Sequence, residues 1–182
     1  MVLNNLPQMF TFYFPSTFWY PEVVRRWTPM VERMRLPYTT LDDFMNAQVQ
    51  SVRFPPMTMD VATQGRWQYE VAYPNGDELE MMIDKTLTIT FKLTESYLTY
   101  WIIWDQIDTY LHYVKDFHDK KDCWMEPVKL GFLTDSGLQL VEFTFSEITP
   151  TNTTELNLSY AATVASYNTF NLTLHYNRFD IK

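Results

Sequence analysis

Alternation of apolar and polar positions runs through much of this chain and predicts a mainly antiparallel β fold. The most regular stretch is residues 86–93, where Leu87, Ile89, Phe91 and Leu93 alternate with threonine and lysine. One face of such a strand packs on the core and the other meets solvent. The same pattern predicts further strands at residues 9–14, 48–54, 67–73, 127–133, 138–145 and 167–179. Together the strands indicate a β-sandwich or a partial barrel.

Turn signals separate these strands. Asn75-Gly76 is a strong hairpin signal, and it predicts a return strand directly after it. Residues 134–137 form a tight turn that ends in a glycine, and residues 57–66 are predicted to be a loop. Residues 148–152, rich in threonine with Pro150 and Asn152, are predicted to form a polar turn before the last strand.

Three segments have the features of helices. Pro21 fits the first turn of a helix, although Pro29 is expected to interrupt it, and Thr40 with acidic residues behind it fits an N-terminal cap. A third helix opens at Thr94. The predicted helices are residues 21–35, 41–47 and about 94–117. We therefore divide the chain into residues 1–47, a strand with a helical N-terminal extension or arm, and residues 48–182, a β domain with one long flanking α-helix.

The third helix carries aromatic side chains on more than one face. One stripe runs through Tyr97, Trp101, Trp104, Asp108, Leu111 and Val114, and a second through Tyr100, Ile103, Ile107, Tyr110 and Val114. A helix on the surface of a lone domain has a narrower apolar stripe. Either the helix is buried deep in one domain, or one face packs on its own sheet and the aromatics face a neighbour. We favour the second interpretation, which makes Trp101, Trp104, Tyr97 and Tyr100 predicted subunit-interface residues.

The composition is compatible with a folded domain that has an aromatic interface. A chain of 182 residues with 46% hydrophobic residues can fold as one domain with a sizeable core. Aromatic residues make up 17% of it, which suits either a well-packed β core or an interface, where such rings are enriched. The net charge of −8 argues against tight binding of nucleic acid. The N-terminal residues do not read as a signal peptide, and no run is long enough to predict a membrane span.

Residues that could carry chemistry lack the spacing that chemistry needs. Cys123 is the only cysteine, and it is expected to be an ordinary thiol. His112 and His118 are six positions apart, on different faces of a helix, so no metal site is predicted. Four glycines form no phosphate-binding loop, and no nucleophile elbow is present. We therefore expect neither a cofactor nor an enzymatic activity.

The second half of the chain resembles the tail tube proteins of contractile-tailed bacteriophages. The pattern begins with a strand followed by proline and continues through an alternating strand into a helix with two tryptophans. A hairpin, a polar turn and a last alternating strand follow. These features lie at residues 49–55, 87–91, Trp101 and Trp104, 128–145, 148–152, 155–160 and 169–176. The resemblance covers about residues 48–182.

The resemblance implies a virion structural protein that is assembled in the host cytoplasm. Six copies form a ring whose sheets join into one lumen barrel, and the rings stack into a tube through which DNA passes during ejection. Tail sheath and baseplate proteins are the implied partners. A negative lumen does not bind DNA, and Asp77, Glu78 and Glu80 are the predicted lumen-facing acids.

Two other functions stay open at this point. A baseplate tube-initiator or a tail-terminator protein has the same fold, and residues 15–47 suit such a protein as well as they suit an arm. A monomeric β-sandwich that binds a ligand on its aromatic side chains is the alternative from another class.

Overall fold

The computed structural model describes residues 10–35, 37–54, 61–66, 69–74, 85–116, 123–134, 136–154 and 169–182. These ranges contain eight strands and three α-helices. In chain order they are β1 (Phe10–Tyr13), α1 (Pro21–Arg33), α2 (Leu41–Ala47), β2 (Val49–Arg53), β3 (Val61–Arg66), β4 (Tyr69–Pro74), β5 (Thr86–Lys92), α3 (Leu98–Asp116), β6 (Val128–Leu133), β7 (Gln139–Thr153) and β8 (Thr169–Ile181).

Six of the strands form one antiparallel sheet in the order β1-β6-β7-β8-β5-β2. The sheet is nearly closed like a barrel, because its edge strands β1 and β2 face each other across a cleft of about 410 Å³ lined by Phe10, Phe12, Asn46 and Val49. Strands β3 and β4 pair separately as a two-stranded sheet. The predicted fold class is confirmed in this form: mainly antiparallel β, with a barrel-like sheet and three helices.

The core lies between the apolar face of the sheet and the helices. Leu87, Ile89 and Phe91 of β5 are buried, as the alternation predicted. On β8 the four apolar residues at alternating positions are buried as well: Phe170, Leu172, Leu174 and Tyr176. Opposite them, the other face of β5 and β8 presents Thr86, Thr88, Thr90, Asn171, Thr173 and His175. This second face is polar and uncharged over most of its length.

Residues 10–35 and 37–47 share the same core. Strand β1 pairs with β6, and Phe14 stacks on Phe91 with ring centroids 6.0 Å apart. Helix α1 contacts both α2 and α3. Side chains buried from this part of the chain are Phe12, Phe14, Phe18, Trp19, Val23, Val31, Leu41, Phe44 and Met45. The segment that the sequence suggested as an extension therefore contributes a strand and much of the core.

Two predicted loops are strands in the structure. Strand β7 continues through residues 148–152, where a polar turn was expected, and a register shift lies between Pro150 and Asn152. Proline has no N–H for a ladder, and a bulge accommodates it without ending the strand. Residues 61–66 of the predicted loop form β3, which pairs with β4. The expected return strand after Asn75-Gly76 lies outside the described residues.

A bulge also changes which residues of β2 face inward. Simple alternation placed Val49 and Val52 on opposite faces. The register shifts between Val49 and Ser51, so that both valines are half-buried against the core. One extra residue in a strand reverses the alternation behind it.

The helices match their predictions apart from two details. Helix α1 continues through Pro29, where an interruption was expected, and Pro29 is exposed. Helix α2 has its predicted bounds, and the Thr40 hydroxyl accepts a hydrogen bond from the Asp43 N–H at 3.3 Å. Helix α3 begins at Leu98, four residues after Thr94, where the sequence placed its start, because Ser96 and Tyr97 have φ values of 56° and 57°.

Candidate subunit interface

The start of α3 is held by threonine hydroxyls. The Thr94 hydroxyl accepts a hydrogen bond from the Thr99 N–H at 3.3 Å and so satisfies one N–H of the first helical turn. The Thr99 hydroxyl donates to the Lys92 carbonyl at 2.9 Å and so ties the helix to the end of β5. These bonds fix which face of α3 turns toward the core.

The buried face of α3 carries polar groups that bind the segment around α1. Asp105 pairs with Arg26 and accepts a hydrogen bond from the Trp27 indole N–H at 2.7 Å. The Gln106 amide donates to the Phe18 carbonyl at 2.6 Å and accepts from the Tyr20 N–H at 3.1 Å. The helix is therefore fixed on its inner side by charge-assisted and backbone hydrogen bonds, which set its rotation.

The opposite face of α3 is exposed and apolar. Trp101, Trp104 and Leu111 are 43%, 52% and 51% exposed, and the half-exposed Asp108 lies among them. We call these four residues the α3 stripe. Their spacing of three, four and three positions puts them on one side of a helix. The rings of Trp101 and Trp104 meet edge to face, with centroids 6.4 Å apart. The middle of the first stripe of the sequence analysis is thus the outer face of the helix. Its ends, Tyr97 and Val114, are half-buried, and Val114 packs against the core.

The other predicted interface residues are less exposed. Tyr97 and Tyr100 are half-buried, and the Tyr100 ring contacts Phe170 of β8 edge to face at 5.3 Å. Tyr100 therefore joins the helix to the sheet of its own chain. An interface role for all four aromatics stays a prediction. Asp77, Glu78 and Glu80, the predicted lumen-facing acids, lie outside the described residues.

The edge of β1 is partly closed by a side chain. The Asn46 amide oxygen accepts from the Phe14 N–H at 2.8 Å, and the amide nitrogen donates to the Phe14 carbonyl at 3.3 Å. The amide thus takes the place of a paired strand just beyond β1. N–H and C=O groups alternate sides along a strand, so those of Phe10 and Phe12 point the same way, into the cleft between β1 and β2.

The β6–β7 hairpin exposes a second apolar surface. Leu138 and Leu140 are 68% and 71% exposed, more than the other large apolar side chains of the described residues. Residues 134 and 136–140 form this surface, which we call the hairpin tip. The sequence analysis predicted the hairpin but did not mark these two leucines. Leucines at alternating positions are typical of a buried strand face, so the sequence carried no signal of their exposure.

Two electrostatic features lie beside these surfaces. Hydrogen bonds from Lys129 at 2.9 Å and Gln139 at 2.9 Å hold the pKa of Glu142 below its ordinary value. Burial raises the pKa of Tyr110, whose hydroxyl donates to the Cys123 carbonyl at 2.7 Å. Neither arrangement provides an acid and a base that share a pocket, as a tuned catalytic pair does.

The described residues contain no group of three or more His, Cys, Asp or Glu side chains placed to hold a metal ion. Within the same ranges, none of the helices has the length and apolar character needed to cross a membrane. The clefts that the described residues line are open and partly polar. One of about 550 Å³ lies between α1 and α3, beside Arg26, Asp105 and His112.

Comparison with known proteins gives likenesses of fold alone. No protein-family model and no curated protein sequence matches the chain. A solved structure of the anti-feeding prophage baseplate contains a similar chain with a TM-score of 0.49 and 14% identity, over 74% of this chain and 78% of that one. The tube-terminating cap of the same prophage gives a TM-score of 0.47 and 13% identity, over 74% and 79%.

A third likeness is to the sheath–tube complex of an extracellular contractile injection system called PVC. Its TM-score is 0.46, with 15% identity over 74% of this chain and 80% of that one. Two of these three structures come from the anti-feeding prophage and the third from an extracellular contractile injection system.

Proposed function

We propose that this chain is a structural subunit of a tail-tube-like assembly, and specifically that it forms stacked hexameric rings with a lumen that conducts DNA. The observation that carries the proposal is the α3 stripe. Trp101 and Trp104 form a contiguous apolar patch on a helix whose other face is fixed to its own core, and Leu111 is exposed on the same side beyond Asp108. Contiguous exposed apolar patches mark interaction sites, and tryptophan is enriched in the buried centres of interfaces.

The area involved is enough to drive association. A Trp side chain buries up to about 250 Å², so covering the exposed halves of two of them removes on the order of 240 Å² from water. At about 25 cal/mol per Å² this contributes roughly 6 kcal/mol before the costs of association. Copies of the chain are the partners proposed here, as the resemblance implies.

Two further features support the proposal. Strands β1 and β2 are edges of the sheet, and unpaired edges are aggregation-prone unless they are covered or joined to another strand. The uncharged face of β5 and β8, formed largely by threonine and asparagine, offers few cations to a passing polyanion. Such a face suits a surface along which DNA moves without binding.

The finer parts of the proposal follow the sequence resemblance. They are six copies in each ring, sheath and baseplate partners, a place in the virion tail, and a lumen lined by Asp77, Glu78 and Glu80. A baseplate initiator of the same fold differs from a tube subunit in copy number. Quantitative mass spectrometry of the native particle separates them, since a tube subunit is abundant and an initiator is present in one or two rings.

The direct test is sedimentation velocity of the purified chain over a wide concentration range. The proposal predicts conversion from monomer to a discrete larger species as concentration rises. A monomer that persists at the highest attainable concentration contradicts it and favours the ligand-binding β-sandwich. Binding of that monomer to a glycan array would then support the latter function.

A further inference from the structure

The hairpin tip is built to hold two leucines in the solvent at a fixed position. The Thr134 hydroxyl accepts a hydrogen bond from the Leu138 N–H at 3.0 Å, and the Thr134 carbonyl accepts from the Gly137 N–H at 2.8 Å. The Thr134 N–H in turn donates to the Leu138 carbonyl at 2.8 Å. Gly137 has a φ of 80°, which this closure requires and which glycine adopts without strain.

A rigid tip loses little entropy when it docks. Flexible side chains and loops cost free energy on binding, and a turn held by three hydrogen bonds has already met much of that cost. Leu138 and Leu140 are two positions apart along the chain, at most about 7 Å in extended backbone. A register shift between Phe132 and Leu133 leaves Leu140 without a paired residue on β6. A partner that covers these two side chains removes their exposed apolar surface from water, which favours docking.

We propose that the hairpin tip of one copy docks on the α3 stripe of a second copy. The inference rests on the proposed function and adds to it the other half of the contact. A closed ring needs two different surfaces on each subunit, one of which binds the other on the next copy. Among the described residues, the tip has the two most exposed large apolar side chains, and the stripe has two tryptophans in ring contact.

The charges beside the two surfaces favour this pairing over contacts between like surfaces. Asp108 lies within the stripe, and its side chain is 47% exposed. A contact between the stripes of two copies would therefore bring two aspartates together. Lys182 and Leu140 line the same cleft. A contact between the hairpin tips of two copies would therefore bring two lysines together. A contact between the tip of one copy and the stripe of another instead places Lys182 of the first copy near Asp108 of the second.

The other charged groups described beside the tip do not disturb this match. Glu142 is paired with Lys129 at 2.9 Å and also lies near Lys182, and both cations lower its pKa. Two lysines beside one carboxylate leave a net positive charge here. Opposite-charge pairing supplies specificity, and like-charge contacts exclude the wrong arrangement.

The spacing of the stripe is compatible with the tip. Trp104 and Leu111 are seven positions apart, which is about 10.5 Å along a helix. Asp108 lies between them, and Ile107 beside it is half-buried against the core. In the proposed contact one leucine lies against Leu111 and the other against the Trp101–Trp104 pair, on the two sides of Asp108.

Cross-linking between copies tests the pairing directly. In a Cys123→Ser background, one preparation carries Ser136→Cys in the tip and a second, differently tagged, carries His112→Cys beside the stripe. The proposal predicts that a short bismaleimide joins the two preparations when they are mixed under assembling conditions. A Met30→Cys preparation, with a comparably exposed position on α1, replaces the stripe partner as the matched control.

Charge reversal gives an independent measurement on the same contact. Asp108→Lys and Lys182→Glu should each weaken assembly about five- to tenfold, and the double variant should recover most of that loss. Tip variant Leu140→Asn should weaken assembly at least tenfold, whereas Met30→Asn should leave it unchanged. Circular dichroism spectra of the monomers show whether each variant is folded.

The outcomes separate this inference from the proposed function. Assembly of the wild-type chain without the cross-link between tip and stripe, or with additive charge-reversal effects, overturns the pairing and leaves the assembly role in place. Absence of wild-type assembly overturns both.

Discussion

Replacing Trp104 by alanine should separate an interface tryptophan from a core tryptophan. The side chain is 52% exposed, so about 130 Å² of a surface of roughly 250 Å² is free in the monomer. Covering that area contributes about 3 kcal/mol, and its loss weakens association by on the order of 100-fold. The folded monomer should lose only about 1–2 kcal/mol, less than the ~3–5 kcal/mol typical of a buried tryptophan.

Sedimentation equilibrium gives the change in the association constant, and urea unfolding of the dilute monomer gives the change in stability. Trp124→Ala is the matched control, because Trp124 is 39% exposed and lies outside α3, just before β6. That variant should assemble like the wild-type chain. The reasoning is wrong if Trp104→Ala unfolds the monomer, or if the monomer and its assembly are both unaffected.

Two further predictions concern the supports of the two surfaces. Asp105→Ala leaves the Trp27 indole without its acceptor and should lower the free energy of unfolding by about 2–3 kcal/mol, measured by urea titration. Asp108→Ala, on the exposed face of the same helix, is the control and should change the free energy of unfolding by less than about 0.5 kcal/mol. Lys129→Met should raise the pKa of Glu142 toward its ordinary value of 4.5, followed by carbon-detected NMR. Because that pKa is depressed in the folded chain, the associated stability is present above pH 4.5 and lost as pH falls through the folded-state pKa. Lys129→Met should make this loss smaller, because the hydrogen bond from Gln139 remains, and an unchanged pKa would contradict the assigned cause.

Local patterns identified most of the framework. The alternation at residues 86–93 predicted the buried face of β5, and the cap at Thr40 predicted the start of α2. These features depend on residues within a few positions of one another. The polar turn predicted at residues 148–152 was wrong, because strand β7 continues through Pro150. A bulge lets a strand tolerate proline, and pairing with β8 outweighs the local turn preference.

The interface surfaces could be predicted only in part. The aromatic stripe was visible at helical spacing, but its exposure depends on Asp105 pairing with Arg26, 79 positions away in the chain. Leu138 lies in the turn before β7, and a register shift leaves Leu140 without a paired residue on β6, which simple alternation does not record. The hydrogen bonds of the Asn46 side chain to the Phe14 backbone likewise depend on tertiary packing, since the two residues are 32 positions apart.

Negative-stain electron microscopy of the purified chain tests the central claim most directly. The account predicts rings with six-fold symmetry and a central opening, and at higher concentration stacks of such rings. The claim would be contradicted if no rings were seen at any concentration. Light scattering on the same samples would then give a molar mass of about 22 kDa, that of the monomer.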